Sequence, residues 1–559
     1  MKRLRSLTAL SRPLALIASL AAMPLAAQDM GGGGGAGGGL GGDGDAPGNA
    51  GGNRAVQPYI EVNQVLSAEL SPGNDVITFT QIATGVDVNL QGRNSGLAAS
   101  VRYERNIGYG DNSVDGDSVS GVLRGTLAVV PGALNFEAGA LGIRTRVDAG
   151  GGTTVNPLVR EDQTSQIYNI YAGPTLTQRV GVVDVAAVTR VGYTRFELDS
   201  AVRDPQGNPV DTFDDSVTYL GQLRAGVRPG DLLPIGIAAT VGGFQEDISN
   251  LDQRVRDLYA RVDVTLPVTP SLAVVGGIGY EDVQISSRDA LRDANGNPII
   301  GPNGQFVTDS ASPRILAFDV DGLLWDVGVQ WRPSSRTSLT ASVGRRYAST
   351  IYYGNFTYAP NQRSALAIDV YDGVTGLGGV LTNSLSRLSN NFEAVRNPVT
   401  GDFGGLVTGQ DGAGGIGNLG SVRSAAFRGR GVRASYQRIM GRTTAAIAAG
   451  YDRRTFIAAA GTVLGAANGL TDENYYVNAG LSHDIDRNSN LTANGYVNWF
   501  ESGNDVGNVT GTGASLAYNR SITPRLVGRA AVGVDYFDSQ FTADDVAFAT
   551  ALLGLRYNF

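Results

Sequence analysis

The chain has 559 residues, a formal net charge of −8, 78 Gly, one His and no Cys. That acidity argues against a nucleic-acid partner. With a single His and no Cys, a zinc site or a Ser–His or Cys–His catalytic pair has almost nothing to draw on, so neither an enzyme nor a cofactor is expected.

The N-terminus reads as an export signal. Met1–Arg5 (M-K-R-L-R) is basic, a Pro-interrupted apolar run follows from Leu14 to Leu25, and small Ala26 and Ala27 precede Gln28. That is the layout of a cleavable signal peptide over 1–27. Residues 28–55 are a Gly-rich leader that cannot bury a core and behaves as a flexible coil. Beyond the leader no run of apolar residues is long enough for a spanning helix. A barrel escapes that test, because only alternate strand residues are apolar.

Residues 56–559 repeat one unit: an alternating run, a tight turn, a second run and a longer polar loop. Short turns fall at Gln91–Asn94, Val130–Ala133, Arg179–Gly181, Pro229–Leu232, Thr269–Ser271, Pro333–Arg336, Pro360–Arg363, Gly441–Thr443, Asp486–Ser489 and Thr523–Arg525. Their Pro, Gly, Asn and Asp supply turn dihedrals. Long polar stretches such as Ala149–Gln163, Ser287–Pro313 and Asp372–Arg423 lie between them. About 22 strands result, opening with 56–71 and 75–90 and closing with 524–538 and 545–559, an even number as a single-chain barrel requires. The predicted class is all-β: one transmembrane, antiparallel, up-and-down barrel with short periplasmic turns and long extracellular loops. The weakest pair is 351–359 and 364–371.

Parity assigns the two faces. In 216–229, Val217, Tyr219 and Leu223 oppose Gln222, Arg224 and Arg228. In 320–332, Val327, Val329 and Trp331 oppose Asp326, Gln330 and Arg332. The same alternation predicts a pore lining of Arg102, Glu104, Asp184, Arg190, Arg224, Arg228, Arg261, Asp263, Asp326, Arg332, Arg433, Arg529, Asp535 and Arg556. This is either a wet wall of self-neutralising ion pairs or an Arg-rich surface favouring anions. Tyr193, Tyr219, Trp331, Trp499, Tyr536, Tyr557 and Phe559 are expected at the membrane interfaces. Segment 372–423 either folds into the lumen as a constriction or stands on the surface; Ser384–Asn397 within it is predicted to form a short helix. The D-A-N-G-N-P run at Asp293 has Pro298 where a calcium loop needs Gly, and is read as a turn. His483 follows Val477, Ala479 and Leu481 in parity and should face outward.

The last strand, Asp545–Phe559, places Tyr557, Leu555, Leu553, Ala551 and Ala549 on one face and ends on Phe. It resembles the C-terminal sorting signal of bacterial outer-membrane barrels, which implies export to that membrane and recognition by the barrel assembly machinery. Pro58–Asn89, with Y-I-E-V-N-Q-V-L and the S-P-G-N-D turn, and T-S-L-T-A-S-V-G-R-R-Y at Thr337–Tyr347, resemble the alphaproteobacterial outer-membrane porins called β-barrel porin 2. The resemblance implies a pore and supplies no site residues. The expected function is passive diffusion of small hydrophilic solutes, anionic or saccharide, across a membrane of lipid and lipopolysaccharide. Exopolysaccharide export, or a structural or adhesion barrel with a blocked lumen, are the alternatives.

Overall fold

The first strand, Arg54–Ser71, pairs antiparallel with the last, Val546–Asn558, from Tyr59↔Asn558 to Ser71↔Ala547. That pairing closes the sheet on itself and removes both edges, which a sheet in hydrocarbon requires. The computed structural model describes residues 54–109, 115–147, 153–154, 164–198, 212–301, 304–409, 412–416, 419–503, 508–539 and 545–559. The expected signal peptide and nearly all of the Gly-rich leader lie outside them.

Twenty-two long antiparallel strands follow one another round the ring, and a two-residue ribbon, Thr153–Thr154, adds to Leu134–Val147. The connections alternate. One rim carries the short turns, such as those between Gly92 and Ser95 and between Met440 and Thr443; the other carries the longer loops, together with short links between Ser71 and Val76, Ile248 and Gln253, and Arg346 and Ser349. In outer-membrane barrels the short-turn rim faces the periplasm. Some strands run further than their alternation suggested: Ile315–Ser334 begins ahead of 320, and Ser364–Thr375 continues past 371. Ladder pairing, not side-chain pattern, sets those ends.

The outer face is apolar and open. Leu553 is 69% exposed, Ile278 57%, Val532 56% and Val534 55%. Exposure of this kind along whole strands is what lipid contact demands. The aromatics form two levels on this face. Tyr193, Tyr219, Trp499 and Tyr536 lie toward the long-loop rim, with the Tyr193 and Tyr536 hydroxyls donating to Asp215 (3.2 Å) and Asp545 (2.7 Å). Trp331, Tyr557 and Phe559 lie toward the short-turn rim, the last two stacked edge to face at 5.2 Å. Leu553 sits between the levels. Leu553→Arg should destabilise the barrel in lipid vesicles by about 2–4 kcal/mol, the cost of Arg near the midplane. A urea titration checks it; a change within error would mean that Leu553 does not face lipid.

The described residues of 376–426 fold inside the ring. A helix, Leu377–Ser386, is followed by a three-stranded sheet of Phe392–Arg396, Phe403–Gly409 and Gly412–Gly415. The helix predicted at Ser384–Asn397 therefore starts earlier and ends sooner. The reason is non-local: the Glu246 carboxylate accepts the backbone N–H groups of Gly376 (2.7 Å), Gly378 (3.0 Å) and Gly379 (3.2 Å). A negative charge on the free N–H groups of the first turn fixes the helix start, against two glycines of poor propensity. The segment at Asp293 is a turn as read: Asp293 Oδ1 accepts the N–H of Asn297 (2.8 Å) and Asn295 (2.9 Å). These bonds, chiefly that from Asn297, hold its carboxyl below the usual range.

Candidate functional site: the occluded lumen

The insert docks through an apolar contact and a polar one. Leu377, Leu381, Leu385, Leu388, Phe392 and Phe403 join one buried cluster with Leu141, Ile143, Ile167, Tyr171 and Phe196 of the wall. Polar contacts run the full height of the lumen. Near the long-loop rim Gln253 donates to the Ser424 carbonyl (2.9 Å) and Arg454 to that of Ser421 (2.8 Å). At mid-height Asn169 donates to the Thr382 hydroxyl (3.0 Å) and Arg144 pairs with Asp402 (3.1 Å). Near the short turns Gln91 donates to the Asn390 carbonyl (2.8 Å), and Gln437 both accepts from and donates to the Gly409 backbone (3.0 and 2.7 Å).

Arg396 of the insert repairs a weak place in the wall. Gly116–Val130 pairs with Leu134–Val147 only from Gly121↔Gly142 downward. A Cβ at Gly121 would lie 2.2 Å from the Ser100 carbonyl oxygen, so only glycine fits there. Beside this point the Arg396 guanidinium donates to the carbonyls of Ser100 (3.0 Å) and Ser120 (3.2 Å) and to both hydroxyls (3.1 and 2.9 Å). A planar fork of five donors suits such a set of oxygens.

The residues expected to line a pore lie on the inner side of the wall, but most are consumed by ion pairs. Arg102 bonds Glu61 and Glu104 (3.1 Å to the latter), all three nearly fully buried. Arg556 extends this cluster to Glu61 (3.4 Å) and Asp87 (2.9 Å). Arg190 and Arg124 share Glu137. Arg224 (2.7 Å) and Arg261 (2.5 Å) share Asp263, and Arg261 also pairs with Asp326 (2.6 Å). Arg228 and Asp184 form a two-bond pair at the short-turn rim. Asp535 accepts from the Tyr496 hydroxyl (2.9 Å), and Arg529 donates to the Pro398 carbonyl of the insert. Arg332 is exposed at the short-turn rim. As an open lining the set is therefore corrected: Arg102, Glu104, Arg190, Asp263 and Asp326 are buried, because one charge left alone in a low-dielectric interior costs several kcal/mol and a paired one far less.

Parity missed the partners. Glu61, Glu137, Asp257 and Glu281 complete the clusters, the last two holding Arg346 at 2.6 and 3.0 Å. Each sits at an inward position of its own strand, which was the available signal. Glu246 and the insert residues carried none, since their contacts join strands far apart in sequence. His483 faces outward near the short turns, with Nδ1 at 2.8 Å from the Thr443 hydroxyl.

The lumen is filled unevenly. Beneath the long-loop rim, Val255, Val283, Ile285, Tyr347, Ile351, Val374 and Ala426 pack together with Phe244, Phe318 and Ile457. Lower on the same side the inner wall is polar and wet. Asn355 and Thr357 are exposed and Thr340 and Asp369 half-buried, and Arg387 of the insert, also exposed, faces them.

These features define the class: a transmembrane β-barrel with an occluded lumen. No protein-family model matches the chain, and no curated protein matches it. Among solved structures it is similar to the FrpB iron transporter of Neisseria meningitidis in its apoprotein form (12% identity, TM-score 0.41, covering 90% of this chain and 81% of that one). It is similar also to the closed form of the ferric-catecholate import receptor Fiu of E. coli K12 (10%, 0.42, 90% and 81%). A third is the siderophore receptor PiuA of Acinetobacter baumannii (9%, 0.39, 90% and 82%). Likenesses of this size say nothing of what this chain carries.

Proposed function

We propose that the protein is an outer-membrane channel for small hydrophilic solutes, anionic or saccharide, whose lumen is closed at rest by its own insert. This reading keeps it with the β-barrel porin 2 group that its first strands resemble. It differs from an always-open pore in that the insert must shift before a solute passes. The observation that carries it is the wet, polar inner wall at Asn355 and Thr357, faced by the exposed Arg387 of the docked insert. A barrel serving only as a support or an adhesin gains nothing from such a wall. The outer face suits outer-membrane lipid and lipopolysaccharide, and the strand ending at Phe559 suits the barrel assembly machinery.

Export is the second reading. It is favoured by the direction of the wet region, which lies toward the short-turn rim while apolar side chains pack under the other rim. Planar-bilayer recording of the purified protein tests the main proposal. Brief, small conductance steps from a mostly closed baseline are expected. A steady, large conductance would show the lumen open at rest; the absence of steps at any voltage would remove the channel and leave the export or blocked-barrel readings.

A further inference from the structure

One side chain of the insert stands apart. From Leu377 to Leu388 nearly every residue is buried, yet Arg387, the helix C-cap, is exposed. Its exposed surface faces the inner wall, where Arg387 Nη1 lies 3.5 Å from Asp369 Oδ1. That contact is long and single, so most of the five guanidinium donors have no hydrogen-bond partner among the described residues.

The wall opposite is a level row across adjacent strands. Thr340 pairs with Asn355, Asn355 with Asp369, and Asp369 with Arg433. Asn355 Nδ2 donates to Asp369 Oδ1 (2.9 Å). Arg433 turns away from Asp369; it donates to the Ser384 hydroxyl of the helix (2.9 Å) and lies over the Tyr371 ring at 4.7 Å. Asp452, which accepts from the Tyr371 hydroxyl (2.7 Å), is itself paired with Arg454 (2.7 Å), so Asp369 is the carboxylate left beside the two cations, and it already shares its oxygen with an amide. The local balance is positive, at the most exposed residue of the helix and its caps.

We propose that Arg387, Arg433 and Asn355 form a binding site for small anions carrying a carboxylate or phosphate group, with Asp369 as an internal competitor that the ligand displaces from Arg387. The chemistry is the bidentate match of guanidinium to an oxyanion, with the Asn355 amide, released from Asp369, as a neutral donor. The site deepens the channel reading and supplies the selectivity of its wet wall.

The competitor makes the test directional. Citrate binding to the detergent-solubilised full chain is measured by calorimetry at low salt, with sucrose as the neutral comparison. Arg387→Gln should weaken citrate binding about tenfold or more, the loss of a charge-assisted pair. Asp369→Asn should tighten it, because Arg387 loses the one carboxylate that it pairs with among the described residues. A merely structural role would weaken both alike. Absence of citrate binding to the wild-type chain, equal effects of the two variants, or equal binding of sucrose would each overturn the site. Heat-modifiable gel mobility reports whether each variant is a folded barrel, and Asp369→Asn still decides the matter if Arg387→Gln does not fold. The measurement needs no conductance, so its failure is separate from a failure of the channel reading in bilayers.

Discussion

Excising Gly376–Ala426 should turn a mostly closed barrel into a steady pore, with single-channel conductance raised about tenfold or more, as emptying a 22-stranded ring implies. The excision is conservative for the wall. Thr375 and Phe427, the residues on either side, are already direct partners in the ladder between Ser364–Thr375 and Phe427–Met440. A short Gly–Asn-type turn can therefore join them without altering register. What is lost lies inside: the Leu and Phe contacts to Tyr171 and Phe196, the Asp402 partner of Arg144, and the Arg396 fork at Ser100 and Ser120. Folding should weaken, yet the closing pairs from Tyr59↔Asn558 onward remain. Bilayer recording, with gel mobility to confirm a folded barrel, checks the result. An excised barrel that conducts no better than the intact one would mean that the loops, not the insert, close the lumen.

Arg102→Met is expected to be the most damaging single substitution in the wall. Arg102 and its partners Glu61 and Glu104 have side chains only 3% exposed. Arg102 also donates to Gln81 (3.1 Å). Without it two carboxylates share one buried site, and the remaining help, Arg556 for Glu61 and Arg144 for Glu104, comes from longer contacts of 3.4 and 3.6 Å. Breaking a buried pair from one side costs about 3–5 kcal/mol. A urea titration of folding into vesicles should show that loss. Adding Glu61→Gln to the same chain should recover part of it, because the double change removes the stranded charge along with its partner. Full additivity of the two losses would show that Arg102 and Glu61 do not act as a pair.

The wall was legible in the sequence because its rules are local. A period of two is enough to turn Leu553, Leu555 and Tyr557 outward and Arg556 inward, and tight turns rich in Pro, Gly and Asn announce themselves. The inner side of Arg102 could be read in the same way, but not its burial, because Glu61 is on another strand and Gly401 of the insert comes against it from much further along the chain. The insert was legible as a long, unusual segment and no more. Its helix start depends on Glu246, some 130 residues earlier, and the strand Phe392–Arg396 is too short, and Phe403–Gly409 too Gly-rich, to show a period. Arg387 was hidden for the opposite reason: on the expected helix of Ser384–Asn397 it looked like one polar residue among many, and only the docked structure makes it the exposed one.

The insert leans on one side of the ring. Its contacts reach the wall from Val76 through Phe196 to Glu246 and Gln253, and again from Asp369 and Phe427 onward. Below the long-loop rim, the four consecutive strands from Leu272 to Asn361 take none of the insert contacts described above. The barrel is thus a tube of two stiffnesses, braced along one arc and hollow-backed along the other. Bilayer pressure or a crowding neighbour will flatten the unbraced arc first, so the cross-section should change as an ellipse does, with the wet wall moving toward a fixed insert.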